Sequence, residues 1–299
     1  MLAPVVVFAY NRADHISQTL NHLAGNHLAP DTELFIYCDN AKNENAREGV
    51  ENVRAIADEF AHNSCFKKVT VVKAEKNKGL AASIIGGVSE ILNQYGRVIV
   101  VEDDLVTSKD FLTYMNNALD FYENNPKVWS ISGYTFPLKT LEKYPHDIYM
   151  SPRGCSWGWA TWKDRFEKVD WEVSDFEEFI KDENRIKHFN EGGPDMTDML
   201  TRQVNGKINS WAIRWCYQES KENMFTVYPT KSRVRNIGCD DTGTHCVSSN
   251  LYDTTLISGD YNCNFENLTP DSKIMKEFRM MYDYSRLGNL KRKLLRLFL

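Results

Sequence analysis

The chain has 299 residues, of which 42 % are hydrophobic, 12 % aromatic and 26 % charged. These proportions are those of an ordinary globular protein and exclude a disordered, collagen-like or coiled-coil chain. The formal net charge of −5 argues against a nucleic-acid-binding protein, because such a protein needs a net basic face.

The first hundred residues alternate between short β-branched runs and amphipathic segments. The predicted strands are 4–10, 33–38, 68–73 and 97–101, and the predicted helices are 13–25, 44–62 and 79–95. The strand segments are brief and rich in valine, whereas the helical segments repeat apolar residues every three or four positions. This alternation predicts βαβ units and a parallel sheet whose ligand crevice lies at the carboxyl ends of the strands.

The second half of the sequence has a different texture. Residues 128–133 predict one more strand, residues 151–171 are rich in Trp and Gly, and residues 225–250 predict a strand followed by a polar loop. Neither an internal repeat nor a low-complexity linker occurs. The change in texture near residue 135 predicts a sub-domain boundary there.

Cysteine usage and hydrophobic runs bear on the cellular compartment. The seven cysteines are scattered and include no CxxC pair, which predicts free thiols in a reducing compartment. Residues 1–10 lack the basic region of a secretory signal, and no apolar run approaches the roughly 20 residues that span a bilayer. We therefore expect a cytosolic protein, or one that lies on a membrane surface.

A run of carboxylates, Glu102, Asp103 and Asp104, follows the fourth predicted strand. Alternation along a strand predicts Glu102 and Asp104 on one side and Asp103 on the other. Carboxylates at the end of a buried strand need a cationic partner, and a divalent ion bound to phosphate typically uses one or two of them. The run therefore favours a metal–diphosphate site. The alternative is a solvated turn in which Asp104 or Ser108 caps a helix that begins near Lys109.

The order PVVVFAYNR, FIYCDN, NKGLAAS and VIVVEDDLVTSKDFL resembles the GT-A glycosyltransferases. Within that class it is most similar to the N-acetylglucosaminyltransferase I type, glycosyltransferase family 13. The acidic motif of that family is an E-D-D-L run followed by D-F, which here is 102–105 and Asp110-Phe111. The resemblance covers roughly residues 3–135. It implies a Rossmann-like α/β fold, with a mostly parallel sheet flanked by helices and a smaller acceptor-binding C-terminal part.

The resemblance also implies a reaction and its participants. These are a nucleotide-sugar donor (UDP-linked favoured), Mn²⁺ or Mg²⁺ as cofactor, and transfer with inversion of the anomeric centre. Arg12 would approach the nucleotide, and Asp39 would hydrogen-bond the uracil edge. The donor-binding residues would be Ala9, Tyr10, Arg12, Asp39, Lys78, Gly79, Glu102 and Asp103, and the metal ligands Asp104 and His245. Lys78 departs from the family pattern.

The acceptor site and the base are expected in the second half. In SPRGCSWGWATW, the resemblance implies acceptor contacts by Trp157, Gly158 and Trp159, with a Trp-rich core corner as the alternative. In GGPDMTDM, Asp198 is the predicted catalytic base and Asp195 the second candidate. The same segment is also typical of a helix start.

Two late segments carry basic residues. In SRVRNIGCDDTGTHC, Arg233 and Arg235 are candidates to meet phosphate charge. From Ser285 the tail SRLGNLKRKLLRLFL contains basic residues and no acidic one, with leucines at helical spacing. This pattern predicts a basic amphipathic helix on an anionic membrane surface. The alternative is a terminal helix docked on the body of the protein.

Together these patterns divide the chain into a donor-binding half (1–135), an acceptor and catalytic half (136–270) and a basic tail (271–299). Together with the resemblance, which implies the nucleotide-sugar donor, the metal ion and inversion, they predict a metal-dependent, inverting glycosyltransferase, peripheral on the inner face of the plasma membrane. It would act on a lipid-linked glycan in bacterial surface-polysaccharide synthesis. Nucleotidyltransferases are one alternative, but they usually carry a Gly-rich loop after the first strand, and FAYNRADH has no glycine. A non-catalytic nucleotide- or sugar-binding module, which would lack a base, is the other.

Overall fold

The computed structural model describes residues 1–238, 252–259 and 262–283. Its strands are β1 (Val5–Ala9), β2 (Glu33–Cys38), β3 (Lys68–Lys73), β4 (Arg97–Glu102), β5 (Leu105–Thr107), β6 (Val128–Ser132), β7 (Ile148–Ser151), β8 (Trp159–Trp162), β9 (Phe225–Pro229) and β10 (Val234–Asn236). Its helices are α1 (Ala13–Ala24), α2 (Arg47–Asn63), α3 (Leu80–Tyr95), α4 (Phe111–Tyr122), α5 (Lys163–Phe166), α6 (Phe176–Phe179), α7 (Glu183–Phe189), α8 (Met196–Val204), α9 (Trp211–Lys221) and α10 (Ser272–Met281).

An eight-stranded sheet in the order β3-β2-β1-β4-β8-β6-β9-β7 forms the centre of the molecule. Strands β1 to β4 are parallel, β8 runs antiparallel between β4 and β6, and β7 is an antiparallel edge strand. The predicted mostly parallel α/β sheet flanked by helices is confirmed. Antiparallel β7 and β8 were not predicted, because each is only four residues long, and β8 also lies in the Trp- and Gly-rich segment, where periodicity is weak.

Both faces of the sheet are buried, as βαβ connections require. Along β1, Val5 and Val7 face one hydrophobic cluster, whereas Val6 and Phe8 face the other. All four residues are nearly or completely inaccessible to solvent. The continuous run of valines in the sequence is thus the signature of a central strand.

The sheet is continuous across the predicted boundary near residue 135. Strands β8 and β9 from the second half pair with β4 and β6 from the first, and β7 pairs with β9 at the edge. The division at 135 and 270 therefore remains a prediction about function rather than a break in the sheet. In the described ranges, no helix is long and apolar enough to cross a membrane.

A second, two-stranded sheet pairs β5 with β10 in antiparallel register. Strand β5 begins one residue after the acidic run, and β10 comes from the far end of the described main segment. This small sheet brings residues 234–238 to the carboxyl end of β4. The predicted tail helix that begins at Ser285 lies outside the described residues.

Candidate active site

The ends of three neighbouring parallel strands define the candidate site. Strand β1 lies between β2 and β4, with Ala9 opposite Cys38 and Phe8 opposite Glu102. The residues that follow these strands therefore meet at one edge of the sheet. Ala9 itself is buried at the end of β1, and Tyr10 is half-buried next to it.

Arg12 links two carboxylates of the acidic run. Its Nη2 donates to Asp103 Oδ1 at 2.6 Å and to Asp104 Oδ2 at 2.8 Å. The main-chain N–H of Tyr10 donates to Asp103 Oδ2 at 3.2 Å. Burial lowers the pKa of Arg12, but the attraction of both carboxylates outweighs burial and raises the pKa overall. The guanidinium is thus held as a permanent cation in the crevice.

The expected alternation of the three carboxylates is wrong for Asp103 and Asp104. Strand β4 ends at Glu102, and the chain turns directly after it. In the turn, alternation no longer applies, so both aspartates reach Arg12. Burial and the neighbouring Asp104 and Asp103 raise the pKa of Glu102 well above its ordinary value. Two carboxylates thus contact one guanidinium, and the buried carboxyl group of Glu102 lies next to them in a form that favours protonation.

Strand β10 closes the crevice against Asp104. The N–H of Ile237 donates to the Asp104 carbonyl at 2.8 Å. A Cβ atom at Gly238 would lie 2.1 Å from Asp104 Oδ2 and 2.7 Å from Arg12 Nη1. Only a residue without a side chain fits at this position. The sequence does not indicate this role of Gly238, because its neighbours in the chain give no sign of a close approach to residues more than a hundred positions earlier.

Asp39 organises the neighbouring loop. Its carboxylate accepts hydrogen bonds from the N–H groups of Asn40, Lys78 and Gly79 at 2.8 to 2.9 Å, and from Asn77 Nδ2 at 3.1 Å. Gly79 has a φ of 76°, which favours glycine, and it directly precedes α3. Asp39 and the Asn77–Gly79 loop are therefore brought together as predicted. The chain itself already supplies four donors to this carboxylate.

The Trp-rich segment divides between surface and core. Trp159 is fully buried and stacks on Trp211 with a centroid distance of 5.0 Å. Trp157 is half-buried and packs edge-on against Tyr134. A Cβ at Gly158 would lie 2.7 Å from Val234 Cγ2, so this glycine packs directly under β10. Of the three predicted acceptor residues, Gly158 and Trp159 are therefore buried, whereas Trp157 has a partly accessible side chain.

The two candidate bases have different environments. Asp195 forms a two-pronged ion pair with Arg153, at 2.7 and 3.0 Å, and the side chains are 12 % and 9 % exposed. Asp198 is exposed in the first turn of α8. The guanidinium of Arg153 also lies 3.4 Å from the centre of the Tyr282 ring. Asp195 is therefore committed to holding other segments together, whereas Asp198 faces solvent.

The structure corrects the expectation for Arg233, whereas the expectation for Arg235 stays a prediction. Arg233 does not face a phosphate site, because it is 1 % exposed and forms an ion pair with Asp110. Arg235 is about half exposed and pairs with Asp253. The helix after the acidic run begins at Phe111 and uses neither of the two predicted caps.

His245, the second predicted metal ligand, lies outside the described residues. Within residues 1–238, 252–259 and 262–283, no group of three or more His, Cys, Asp or Glu side chains is arranged to hold a metal ion. Asp104, the other predicted metal ligand, is described, and its carboxylate accepts a hydrogen bond from Arg12.

The chain is similar in sequence to one protein family and in structure to known protein structures. The sequence profile described as Glycosyl transferase family 2 matches residues 5–176, more than half of the chain. No curated protein matches the chain in sequence.

Among solved structures, the chain is similar to S. aureus TarS 1–349, with 13 % identity, a TM-score of 0.45, and coverage of 81 % of this chain and 62 % of that one. The same fragment in complex with UDP-GlcNAc gives 16 % identity, a TM-score of 0.39, and coverage of 57 % and 48 %. The chain thus spans less than two thirds of the length of these structures.

Proposed function

The chain belongs to Glycosyl transferase family 2 and is a glycosyltransferase of the GT-A fold, and from this premise we propose its reaction. We propose that it transfers a sugar from a UDP-sugar to a hydroxyl group of a glycan, with inversion at the anomeric carbon. The observation that carries this proposal is the acidic cluster at the carboxyl end of β4, bridged by Arg12 and closed by β10. The E-D-D-L and D-F motif favours the narrower N-acetylglucosaminyltransferase I type.

The donor half of the reaction needs positive charge near the diphosphate. Arg12 is a permanent cation at the edge where dinucleotide and nucleotide ligands bind in open α/β sheets. It would leave its two carboxylates in part to meet the phosphates. Asp39 would orient the Asn77–Gly79 loop along the nucleotide, because that loop takes its geometry from this carboxylate.

Mn²⁺ or Mg²⁺ is part of this proposal, and the donor set fits a hard divalent cation. Two aspartates contact one guanidinium in the crevice, and carboxylate oxygens are the ligands that these ions prefer. Asp104 would hold the ion on the protein side, with Asp103 next to it at the donor. When bound, such an ion stabilises the charge that develops on the diphosphate leaving group.

The acceptor half needs a carboxylate that takes the hydroxyl proton. We place this role at Asp198, because it is exposed and, among the described residues, forms no ion pair. Asp195 is the second candidate, with its carboxylate bound to Arg153. Trp157 supplies an aromatic face for the acceptor sugar.

The setting of the reaction is also a proposal. The basic, leucine-containing tail that begins at Ser285 supports binding to an anionic membrane surface. A lipid-linked glycan on the cytoplasmic face of the plasma membrane would then be the acceptor, as in the assembly of bacterial surface polysaccharides.

Calorimetric titration with UDP, GDP and dTDP, each with and without Mn²⁺, tests the donor site. We expect UDP to bind most tightly, with Mn²⁺ increasing its affinity, and Asp104→Ala to remove the Mn²⁺-dependent part. Asp120→Ala is the matched control, because Asp120 is exposed and pairs with Arg97 at the opposite end of β4. Absence of Mn²⁺-dependent binding for all three nucleotides would contradict the proposal.

A further inference from the structure

A buried ion pair lies behind the acidic cluster. Arg233 Nε donates to Asp110 Oδ2 at 3.1 Å, and the two side chains are 1 % and 5 % exposed. The guanidinium carbon lies 4.2 Å from the centre of the Tyr114 ring, and Nη1 donates to the Lys231 carbonyl at 3.1 Å. Withdrawing two charges from water is costly, so such a pair calls for a role beyond simple packing. Its burial leaves no surface for a substrate.

The carboxylate of this pair is tied to the end of β5. Ser108 Oγ donates to Asp110 Oδ1 at 2.6 Å, and the Ser108 N–H donates to the Arg233 carbonyl at 3.0 Å. Strand β5 is only three residues long and joins Asp104 to Ser108. The ion pair and Asp104 therefore lie at opposite ends of one short strand, and the four residue steps from Asp104 to Ser108 span roughly 13 Å at about 3.3 Å per residue.

The guanidinium is tied to the start of β10. Arg233 directly precedes this strand, and its N–H donates to the Gly133 carbonyl at 2.8 Å. Strand β10 pairs with β5 so that Val234 lies opposite Thr107 and Asn236 opposite Leu105. The small sheet thus has the ion pair at one end and the contact between Gly238 and Asp104 at the other.

We propose that Asp110 and Arg233 are positioning residues that fix the register of β10 against β5 and thereby hold Gly238 against Asp104 and Arg12. This proposal rests on the donor site proposed above. Three ladder residues define register weakly, and a slip by one residue reverses the facing of every side chain. Such a slip would bring Ile237 to the position of Gly238, where a Cβ atom would lie only 2.1 Å from Asp104 Oδ2.

The ion pair selects the correct register because its geometry is specific. A guanidinium donates from fixed directions, and the carboxylate is itself oriented by Ser108. A shift of one residue along β10 would move Arg233 by about 3.3 Å and leave two buried charges unpaired. Buried polar groups have their best-attested use in fixing register.

Arg233→Lys tests the proposal, with Arg165→Lys as the matched control. Arg165 is also a buried arginine, and it donates to the carbonyls of Glu123 and Val128. It lies just after the end of β8 that pairs with the start of β4, whereas the acidic cluster lies at the other end of β4. Both variants should lower Tm. Only Arg233→Lys should weaken UDP binding in the presence of Mn²⁺, by about 10-fold or more, as for other groups that orient ligand-binding side chains. Unchanged UDP affinity in Arg233→Lys would overturn the proposal.

Hydrogen exchange separates this proposal from the proposed function, because it needs no nucleotide. The amides of Arg235 and Ile237, which point toward β5, should exchange faster in Arg233→Lys than in the wild type, and at wild-type rates in Arg165→Lys. Unchanged protection of these amides would overturn the positioning role even if the wild-type protein bound no nucleotide. If Arg233→Lys does not fold, the double variant Asp110→Asn/Arg233→Met leaves no unpaired buried charge and is measured instead, with the same expectations.

Discussion

At the scale of the residue, the candidate site depends on a glycine that carries no chemistry. Gly238 lies where a Cβ would be 2.1 Å from Asp104 Oδ2 and 2.8 Å from Asp104 Cβ. Because the second contact is to the root of a short side chain, rotation of Asp104 does not relieve it. The glycine therefore allows β10 to lie directly on the acidic cluster.

We expect Gly238→Ala to lower UDP affinity in the presence of Mn²⁺ by about tenfold, because Asp104 or β10 must move aside. The overpacking should also cost about 1–3 kcal/mol of stability. Calorimetry and thermal unfolding measure the two effects. Gly86→Ala is the control, since Gly86 lies exposed within α3 with no atom near its Cβ. It should gain about 1 kcal/mol of stability and leave UDP binding unchanged.

At the scale of the element, helix α9 carries a buried carboxyl group. Glu219 is fully buried, and its Oε1 accepts a hydrogen bond from Thr226 Oγ1 at 2.7 Å. Thr226 Oγ1 is in turn 2.7 Å from Ser130 Oγ. Burial raises the pKa of Glu219 well above its ordinary value, despite these hydrogen bonds. The helix thus packs on the sheet with a carboxyl group that favours its protonated form.

This pKa makes stability depend on pH in a defined direction. The folded state binds the proton of Glu219 more tightly than the unfolded state, whose pKa is about 4.3. The contribution of Glu219 is complete below that pH and is lost as the pH rises through the raised folded pKa. The loss is at most about 1.4 kcal/mol per pH unit within this window.

We therefore expect Glu219→Gln to gain stability relative to the wild type as the pH rises from 5 to 8, measured by urea unfolding at each pH. Glu222→Gln is the control, because Glu222 directly follows the same helix. There a hydrogen bond from Lys168 lowers the pKa of the Glu222 carboxyl. Its contribution is present above the unfolded pKa and is lost as the pH falls. Parallel pH curves for wild type and Glu219→Gln would show that the buried carboxyl does not titrate in this range.

At the scale of the whole molecule, Arg153 joins three segments that are far apart in the sequence. It follows β7, pairs with Asp195 just before α8, and lies under the ring of Tyr282 just after α10. Helix α10 is also held by Glu277, which accepts hydrogen bonds from the N–H groups of Lys139 and Thr140 at 2.9 Å. The region that carries both candidate bases is thus fixed by contacts between distant parts of the second half.

Substitutions at the two candidate bases should have different effects on stability and on turnover. Asp195→Asn breaks a buried ion pair and should cost about 3–5 kcal/mol, seen as a lower midpoint in urea unfolding. Asp198→Asn changes an exposed residue and should stay within about 0.5 kcal/mol of the wild type. It should nevertheless abolish sugar transfer while UDP affinity is retained. Full turnover in Asp198→Asn would remove it as the base and leave Asp195 as the candidate.

The sequence indicates the structure of the first half of the chain well because the determinants there are local. A continuous run such as VVVFA or RVIVV is sufficient to identify a strand buried on both faces, and the polar residues that follow such strands must meet at one edge. The grouping of Arg12, Asp39 and the acidic run was therefore predictable. The narrower family assignment, the metal ion and the base depend on ligands and remain proposals.

The sequence by itself thus determined the βαβ order, the mostly parallel sheet and the edge at which the site lies, because these follow from periodicity and burial along short segments. Only the tertiary structure decided which charged groups meet. Arg233 was expected at a phosphate, but it lies inside on Asp110, and Gly238 lies on Asp104. These contacts join residues more than a hundred positions apart. They depend on how β10 pairs with β5, and no local pattern encodes that register.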